Sequence, residues 1–446
     1  MTLYTLRRRI QVVALALAPF GVSAQTLDFR QCVDLALAQN PELAVSRAQI
    51  EQAEAGLKQA EAGRLPRLTL SLIGTHTNDP LGAFGLKLGQ ERITAADFLP
   101  GTLNDPKAVS NLNTRVELNW PVYTGGQVQS YVSQARALVR AAQSGDVVAR
   151  QQLVQQVLAS YQGVHTARAQ VRVAEQALAA AEESVRVTQR MHQQGLAVKS
   201  DVLSARVHLE DARVRLAEAR NAVASALDRL KLLLGKSLDE PLDVGAPVLP
   251  RLLDGSEQEL RRQALEGHAA LAALGHQMEA AGAQVEAARA GRRPQFNVML
   301  RQDWNDKTIG LSASSQTVAG VLTWSAFDAG ITRAGVDRAE AGRRELAARL
   351  RQAQDAIALQ VSEARRRALE AEERVSAREL AVEQAEEASR LVKRRYENAM
   401  ATVVELLTAQ TQLDRARAEL VAARHDLALA RAELQRAVGV LSADSL

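Results

Sequence analysis

The chain of 446 residues has little aromatic content, 3%, and a single cysteine. Cys32 alone cannot form an intrachain disulfide. Much of the apolar content is Ala, Leu and Val, which together with abundant Glu and Arg points to coiled-coil helices rather than an enzyme core. Charge of either sign is not in excess: 55 basic residues stand against 51 acidic ones, with no concentrated basic face to suggest a nucleic-acid partner. Past the N-terminus no run reaches 18 consecutive apolar residues, so no transmembrane helix is expected. Recognisable chemistry is missing too. The seven histidines lack metal-ligand spacing, with His268 and His276 eight apart in a helical pattern. "GAFGLKLG" (82–89) is not a phosphate loop, and no G-x-S-x-G elbow occurs. No catalytic residue, metal or cofactor is expected.

The N-terminus carries the first positive signal. "MTLYTLRRRIQVVALALAPFGVSAQT" has three arginines, an apolar run from Ile10 to Ala18, and small residues before a cut after Ala24. This reads as a secretory signal over residues 1–24, too short to span a membrane. No Cys follows the cut, which argues against a lipid anchor. Removing the three arginines leaves 52 basic against 51 acidic residues in the mature chain. The product is expected to be exported.

The dominant feature is an internal duplication. "ALAQNPELAVSRAQIEQAEAGLKQAEAGRLPRL" from Ala36 aligns without gaps with "ALEGHAALAALGHQMEAAGAQVEAARAGRRPQF" from Ala264, at an offset of 228. From Trp120, paired with Trp324, the offset is 204 and stays so to Gly235 and Gly439. The first copy therefore carries 24 extra residues between Pro66 and Trp120. They fall in "HTNDPLGAFGLKLGQERITAADFLPGTLNDPKAVSN", whose Asp-Pro pairs and glycines read as a loop between strands. The repeats are placed at 25–235 and 256–446, joined by a Pro- and Gly-rich linker at 236–255.

Beside that loop the period becomes two. Leu68, Leu70 and Leu72 alternate with Thr69 and Ser71; Val116, Leu118, Trp120 and Val122 alternate with Arg115, Glu117 and Asn119. The second copy has Phe296, Val298 and Leu300, then Val318, Gly320, Leu322 and Trp324. Strands are expected at about 67–76, 113–123, 295–303 and 316–327, each with one apolar and one polar face. Surface hairpins of a soluble domain would show this pattern, and so would an outer-membrane barrel. Trp120 and Trp324 close their strands where interfacial aromatics against outer-membrane lipid would sit. Four strands cannot close a barrel, and an open edge in lipid leaves backbone groups unpaired. Two chains would supply eight strands and three chains twelve.

The rest reads as helix, at about 28–63, 126–194, 200–234, 256–291, 331–398 and 402–438. No proline occurs between Val122 and Glu240 or after Pro294. At 1.5 Å per residue the two longest helices would each measure roughly 100 Å. The return segments carry heptads: Val202, Ala205, Leu209, Ala212, Leu216 onward, and Leu406, Ala409, Leu413, Ala416, Leu420 onward. Leu facing Ala at such positions lets neighbouring helices approach closely. A periplasmic coiled-coil adaptor or scaffold without a pore would explain these helices equally, but not the strands.

The pattern of signal, duplicated helix–strand–strand–long helix–helix unit and Gly corners resembles the outer membrane efflux protein family of TolC-like channels. The pieces that carry the resemblance are "ALAQNPELAVSRAQI" (36–50), "GRLPRLTL" (63–70), "PVYTGG" (121–126), "GLAVKSDVLSARVHLEDAR" (195–213) and "RYENAMATVVELLTAQTQLDRARAEL" (395–420). The resemblance implies a mainly α protein with a small β part. It implies a homotrimer in which a 12-stranded β-barrel in the outer membrane continues into a long periplasmic α-helical barrel. It further implies a passive exit duct serving a tripartite efflux pump or type I secretion system. The partners would be a periplasmic adaptor protein and, through it, an inner-membrane transporter.

Site residues follow from the same resemblance. The turns at 195–201 and 399–405 would form the periplasmic tip. There Asp201 and Tyr396 match family residues that hydrogen-bond between hairpins and hold the tip shut; Asp201 could equally serve as a helix cap. Ala401 stands where a family member has a further basic partner. Glu405 matches an acid that narrows the tunnel, and Thr408 replaces a second; threefold symmetry would gather three Glu405 carboxylates. Adaptor contact would centre on Gly195, Leu196, Ala399 and Met400.

Overall fold

The computed structural model describes residues 25–445, so the secretory signal read at 1–24 lies outside the described residues. The chain divides into two compact units. The first gathers residues up to Ala38, Gln156–Leu249 and Arg374–Ala428; the second gathers Gln39–Gln155, Pro250–Glu373 and the C-terminal segment from Leu429.

The first unit opens with β1 (Gln25–Leu27) and α1 (Phe29–Gln39). It also holds the later part of α5 (Gln127–Gln193), all of α6 (Lys199–Leu233) and β4 (Leu242–Val244). The end of α9 (Ile331–Glu397) and most of α10 (Val403–Val438) complete it. β1 and β4 pair in parallel, so a strand forms inside what the sequence suggests is only a linker. Three-residue strands are too short to show any period, and this one is held from outside. Tyr161 on α5 donates to the Ala246 carbonyl at 2.9 Å and stacks edge-on against Phe29 at 5.6 Å. Cys32, Val33, Val157, Leu158 and Val164 are fully buried there. Burial pushes the Cys32 thiol up to about 12, which makes it an inert core residue.

The second unit contains α2 (Pro41–Ala62), β2 (Arg67–Thr77), α3 (Pro80–Gly89), α4 (Pro100–Asn104) and β3 (Val109–Tyr123). It continues with α7 (Glu257–Gly267), α8 (Ala269–Ala290), β5 (Gln295–Asp306) and β6 (Ala313–Thr323), together with the first parts of α5 and α9. Its helical core joins Leu260 and Leu271 to Val361, Ala364, Leu434 and Val438.

Each helix read as continuous before a strand is in fact two. In the first copy the break falls at Asn40, whose side chain accepts from the Glu42 N–H at 2.8 Å and so caps α2, with Pro41 in its first turn. The second copy breaks at His268, 228 residues on, and the imidazole does the same job: Nδ1 accepts from the Ala270 N–H at 3.2 Å.

The four long strands form one antiparallel sheet in the order β2-β3-β5-β6, which leaves β2 and β6 as open edges. β3 begins four residues before its expected start, because Val109–Leu112 pair with Gly74–Thr77. β6 ends at Thr323 rather than running to residue 327. Thr323 pairs with Gln295, and the next residue back, Pro294, has no N–H to continue the ladder. The turn from Thr77 to Val109 spans 31 residues, 78–108, against seven, 306–312, in the second hairpin, which is the whole 24-residue shift between copies. The longer turn is not an open loop: it folds α3, a 3-10 turn (Ala95–Phe98) and α4.

Candidate functional site

The two long helices end in the same backbone device. The Gly195 N–H donates to the His192 carbonyl at 3.0 Å and the Leu196 N–H to Met191 at 2.8 Å. At the equivalent turn Ala399 donates to Tyr396 at 2.9 Å and Met400 to Arg395 at 2.8 Å. This Schellman closure needs a left-handed residue, and φ is +76° at Gly195 and +60° at Ala399. Leu196 and Met400 then project as equivalent apolar points, 57% and 62% exposed.

Each return helix starts with a side-chain cap. The Asp201 carboxylate accepts from the Val198 N–H at 3.4 Å. Thr402 Oγ1 accepts from the Glu405 N–H at 3.3 Å. Glu405 is exposed in the first turn of α10, where the helix dipole favours an acid, with Arg395 at 4.0 Å; Thr408 is exposed one turn on.

The Tyr396 hydroxyl does not bond Asp201. It donates to Thr188 Oγ1 on α5 at 3.0 Å, and both residues are buried. One turn back along α5, Ser184 Oγ accepts from Gln410 Nε2 on α10 at 2.7 Å. Two buried polar contacts therefore tie α5 to the α9/α10 hairpin. They sit beside an apolar cluster of Val187, Met191, Val403 and Leu406, against which Ala401 packs. Burial raises the Tyr396 pKa and the Asp201 charge adds to it, so the phenol stays protonated as a donor. Thr188, Ser184 and Gln410 escape a sequence reading focused on family positions; the available signal is a polar residue on an otherwise buried helix face.

In the other unit, the sheet meets the helices at two matched corners. The Trp120 indole N–H donates to the Arg64 carbonyl at 3.2 Å, and that of Trp324 to the Arg292 carbonyl at 3.1 Å. Each tryptophan thus bolts the exit of one strand to the chain entering its neighbour. Trp120 does so from within β3, and Trp324 from one residue beyond β6. Left-handed pairs follow at Gly125 and Gly126 (φ +65° and +90°) and at Ala329 and Gly330 (φ +50° and +89°). A Cβ on Gly125 would lie 2.8 Å from that of Arg293, so the first corner requires glycine.

Register sorts the sheet into two faces. Leu68, Leu118, Leu300 and Val318 stand in one cross-strand row, flanked by Leu70 with Val116 and by Trp120 with Val298. The opposite face carries Glu117 with Arg301 and Thr317, then Arg115 with Asp303. Arg115 reaches Asp303 at 2.8 Å and Arg301 reaches it at 3.0 Å. Asn113 bonds Asp303 and Asn305 at 3.1 Å each, and Asn111 bonds Asn305 at 2.9 Å. Leu70 is nonetheless 73% exposed and Val318 is 74% exposed: the greasy face has no cover within the chain. Among the described residues no helix is long and apolar enough to cross a membrane, and no group of three or more His, Cys, Asp or Glu could hold a metal.

The family model for outer membrane efflux proteins matches residues 32–236 and 260–440. The chain belongs to the outer membrane efflux protein family. A relative, Protein CyaE of Bordetella pertussis, is 30% identical over 297 residues, covering 66% of this chain. The match spans 58% of the length of that relative. Among solved structures, CusC, described as a transmembrane channel, aligns with a TM-score of 0.78 at 18% identity over 93% of each chain. The outer membrane protein VceC of Vibrio cholerae aligns at 0.76 and 19% identity, over 92% of this chain and 96% of its own. A membrane protein from Pseudomonas aeruginosa aligns at 0.78 and 24% identity, over 92% and 93%. Likeness at this level shows that the efflux-family chain shares their fold.

Proposed function

We propose that the protein is an outer-membrane exit channel, a passive duct gated at its periplasmic tip. The observation that carries this is the sheet: one exposed apolar face, one hydrogen-bonded polar face and two open edges. A spanning sheet must close, since each unpaired backbone group costs several kcal/mol in lipid. Three copies closing edge to edge give the 12-stranded barrel, Leu and Val outward to lipid and the Arg115–Asp303 network inward to water. Trp120 and Trp324 then sit at the membrane interface. A periplasmic adaptor would dock on the tip around Leu196 and Met400, beside Gly195 and Ala399, and would link the duct to an inner-membrane transporter.

In this reading the closed tip is held by Tyr396–Thr188 and Gln410–Ser184, with Asp201 acting as cap and nearby charge. Each buried neutral bond contributes ~1 kcal/mol, enough to bias a closed state without fixing it. Glu405 carboxylates gathered by the trimer would favour cations, with Thr408 lining the next turn.

Three experiments test this. Fractionated cells should yield a heat-modifiable trimer from outer membranes, and full recovery in the soluble periplasm would sink the channel. In planar bilayers Tyr396→Phe with Gln410→Leu should raise conductance; an unchanged conductance removes these two bonds from the gate. Glu405→Ala should weaken block by polyvalent cations.

A further inference from the structure

The 31-residue turn of the first hairpin has no role so far, and it is built rather than loose. Lys87 pairs with Asp97 at 2.7 Å, and Asp97 also accepts from the Thr94 N–H and hydroxyl at 2.8 Å each. These contacts hold the Asp97 carboxyl down at about 2. Phe84 stacks edge-on against Phe98 at 5.6 Å. The turn leans on the polar face of the sheet. Gln90 Nε2 donates to the Ser110 carbonyl and to Asn111 Oδ1 at 2.8 Å each. A Cβ on Gly89 would lie 4.0 Å from that of Asn305. Asn111 and Asn305 belong to the polar face, at the end of the sheet away from the helices.

We propose that residues 79–106 form a second constriction, a cap over the outer mouth that sets the size of what can pass. The inference rests on the channel reading: if the apolar rows face lipid, the polar face is the lumen wall, and a segment packed on that face stands in the lumen. Among its exposed side chains are large apolar ones, with Leu81 85% and Phe98 61% exposed and Leu88 and Leu99 exposed as well, interspersed with Glu91 and Arg92. Three such surfaces around one axis narrow the pore with groups that disfavour a continuous water column. The second hairpin, with its seven-residue turn, has nothing equivalent.

The test uses the full-length protein in intact cells, with Cys32→Ser and Thr317→Cys placing one thiol on the polar face of β6, opposite Arg301. A small membrane-impermeant maleimide should label this thiol from outside, and a polymer-linked maleimide should not. Replacing residues 78–108 by the loop sequence 306–312 should speed labelling by the large reagent by roughly tenfold or more, since the narrowest obstruction sets access. Equal labelling by the large reagent with and without the segment overturns the cap and leaves the channel standing. Failure of the small reagent to label either form means that the polar face is not an open lumen, which overturns both. A second variant guards against misfolding of the loop replacement. Gly89→Cys with Asn305→Cys places two Cβ atoms within disulfide range, in the same background. Oxidised, it should exclude the large reagent as the parent does and still admit the small one. If oxidation admits the large reagent, the seated segment does not close the mouth and the proposal falls.

Discussion

At the residue scale, the left-handed positions separate what geometry demands from what the chain tolerates. Gly195 and Ala399 occupy equivalent turns with the same two backbone bonds, yet only one is glycine. An alanine held at positive φ costs about 1 kcal/mol relative to glycine. Ala399→Gly should therefore stabilise the second tip by about that amount, and Gly195→Ala should cost as much at the first. Hydrogen exchange of the 395–403 and 191–199 amides would register both changes, with opposite sign. The same comparison bears on the corners. Ala329 shows that the first left-handed position accepts a Cβ when nothing crowds it, whereas Arg293 crowds Gly125. A Gly125→Ala chain should fail to assemble at levels where the parent succeeds, seen as loss of the trimer from outer-membrane fractions.

At the scale of elements, the strands test which face meets lipid. Leu300 and Thr317 lie on neighbouring strands but on opposite faces. Leu300→Lys should cost ~2–4 kcal/mol and abolish membrane assembly, while Thr317→Lys should be tolerated. Equal tolerance of both would contradict the inside–outside assignment. Legibility in the sequence also divides by element. Period-two alternation exposes a strand with unlike faces, and the heptads expose α6 and α10; all five named residues of each return segment are buried or half-buried. The breaks at Asn40 and His268 are another matter. Asn-Pro is a readable cap signal, but His-Ala carries none, and only the alignment of the two copies could transfer it. β1 and β4 are too short for any period. The helices in the long turn begin at Asp79-Pro80, a readable start hidden by surrounding glycines. The tip contacts failed to show for a different reason. Which hydroxyl meets Tyr396 depends on how α5 packs against α9, and spacing along one helix does not encode its rotation against another.

At the scale of the whole molecule, burial of histidine sets a pH response. His165, His208, His268 and His425 all have lowered pKa values, with burial the largest cause in each. Below the ordinary value of 6.5 the unfolded chain takes up protons that these sites refuse. Stability is thus fully present above that pH and falls as acidity increases through it. Asp414 works the other way, since burial raises its pKa, but its effect begins in the carboxylate range. Thermal melts of the solubilised protein between pH 8 and pH 5.5 should show a progressive fall. At His268 burial is joined by repulsion from Arg436, and a protonated Nδ1 could not accept the Ala270 N–H that it caps. His268→Asn copies the Asn40 cap and should flatten part of the slope; an unchanged slope would remove His268 from the account.

The open edges at β2 and β6 have a genetic consequence. In the proposed ring of three, every protomer must offer one sound edge and accept another, so the ring is only as good as its worst member. A substitution that spoils one edge without preventing folding would poison the assemblies it enters. With equal expression of altered and normal chains mixing at random, about one ring in eight would be free of the altered chain. Such alleles should be dominant, whereas alleles that prevent folding altogether should be recessive.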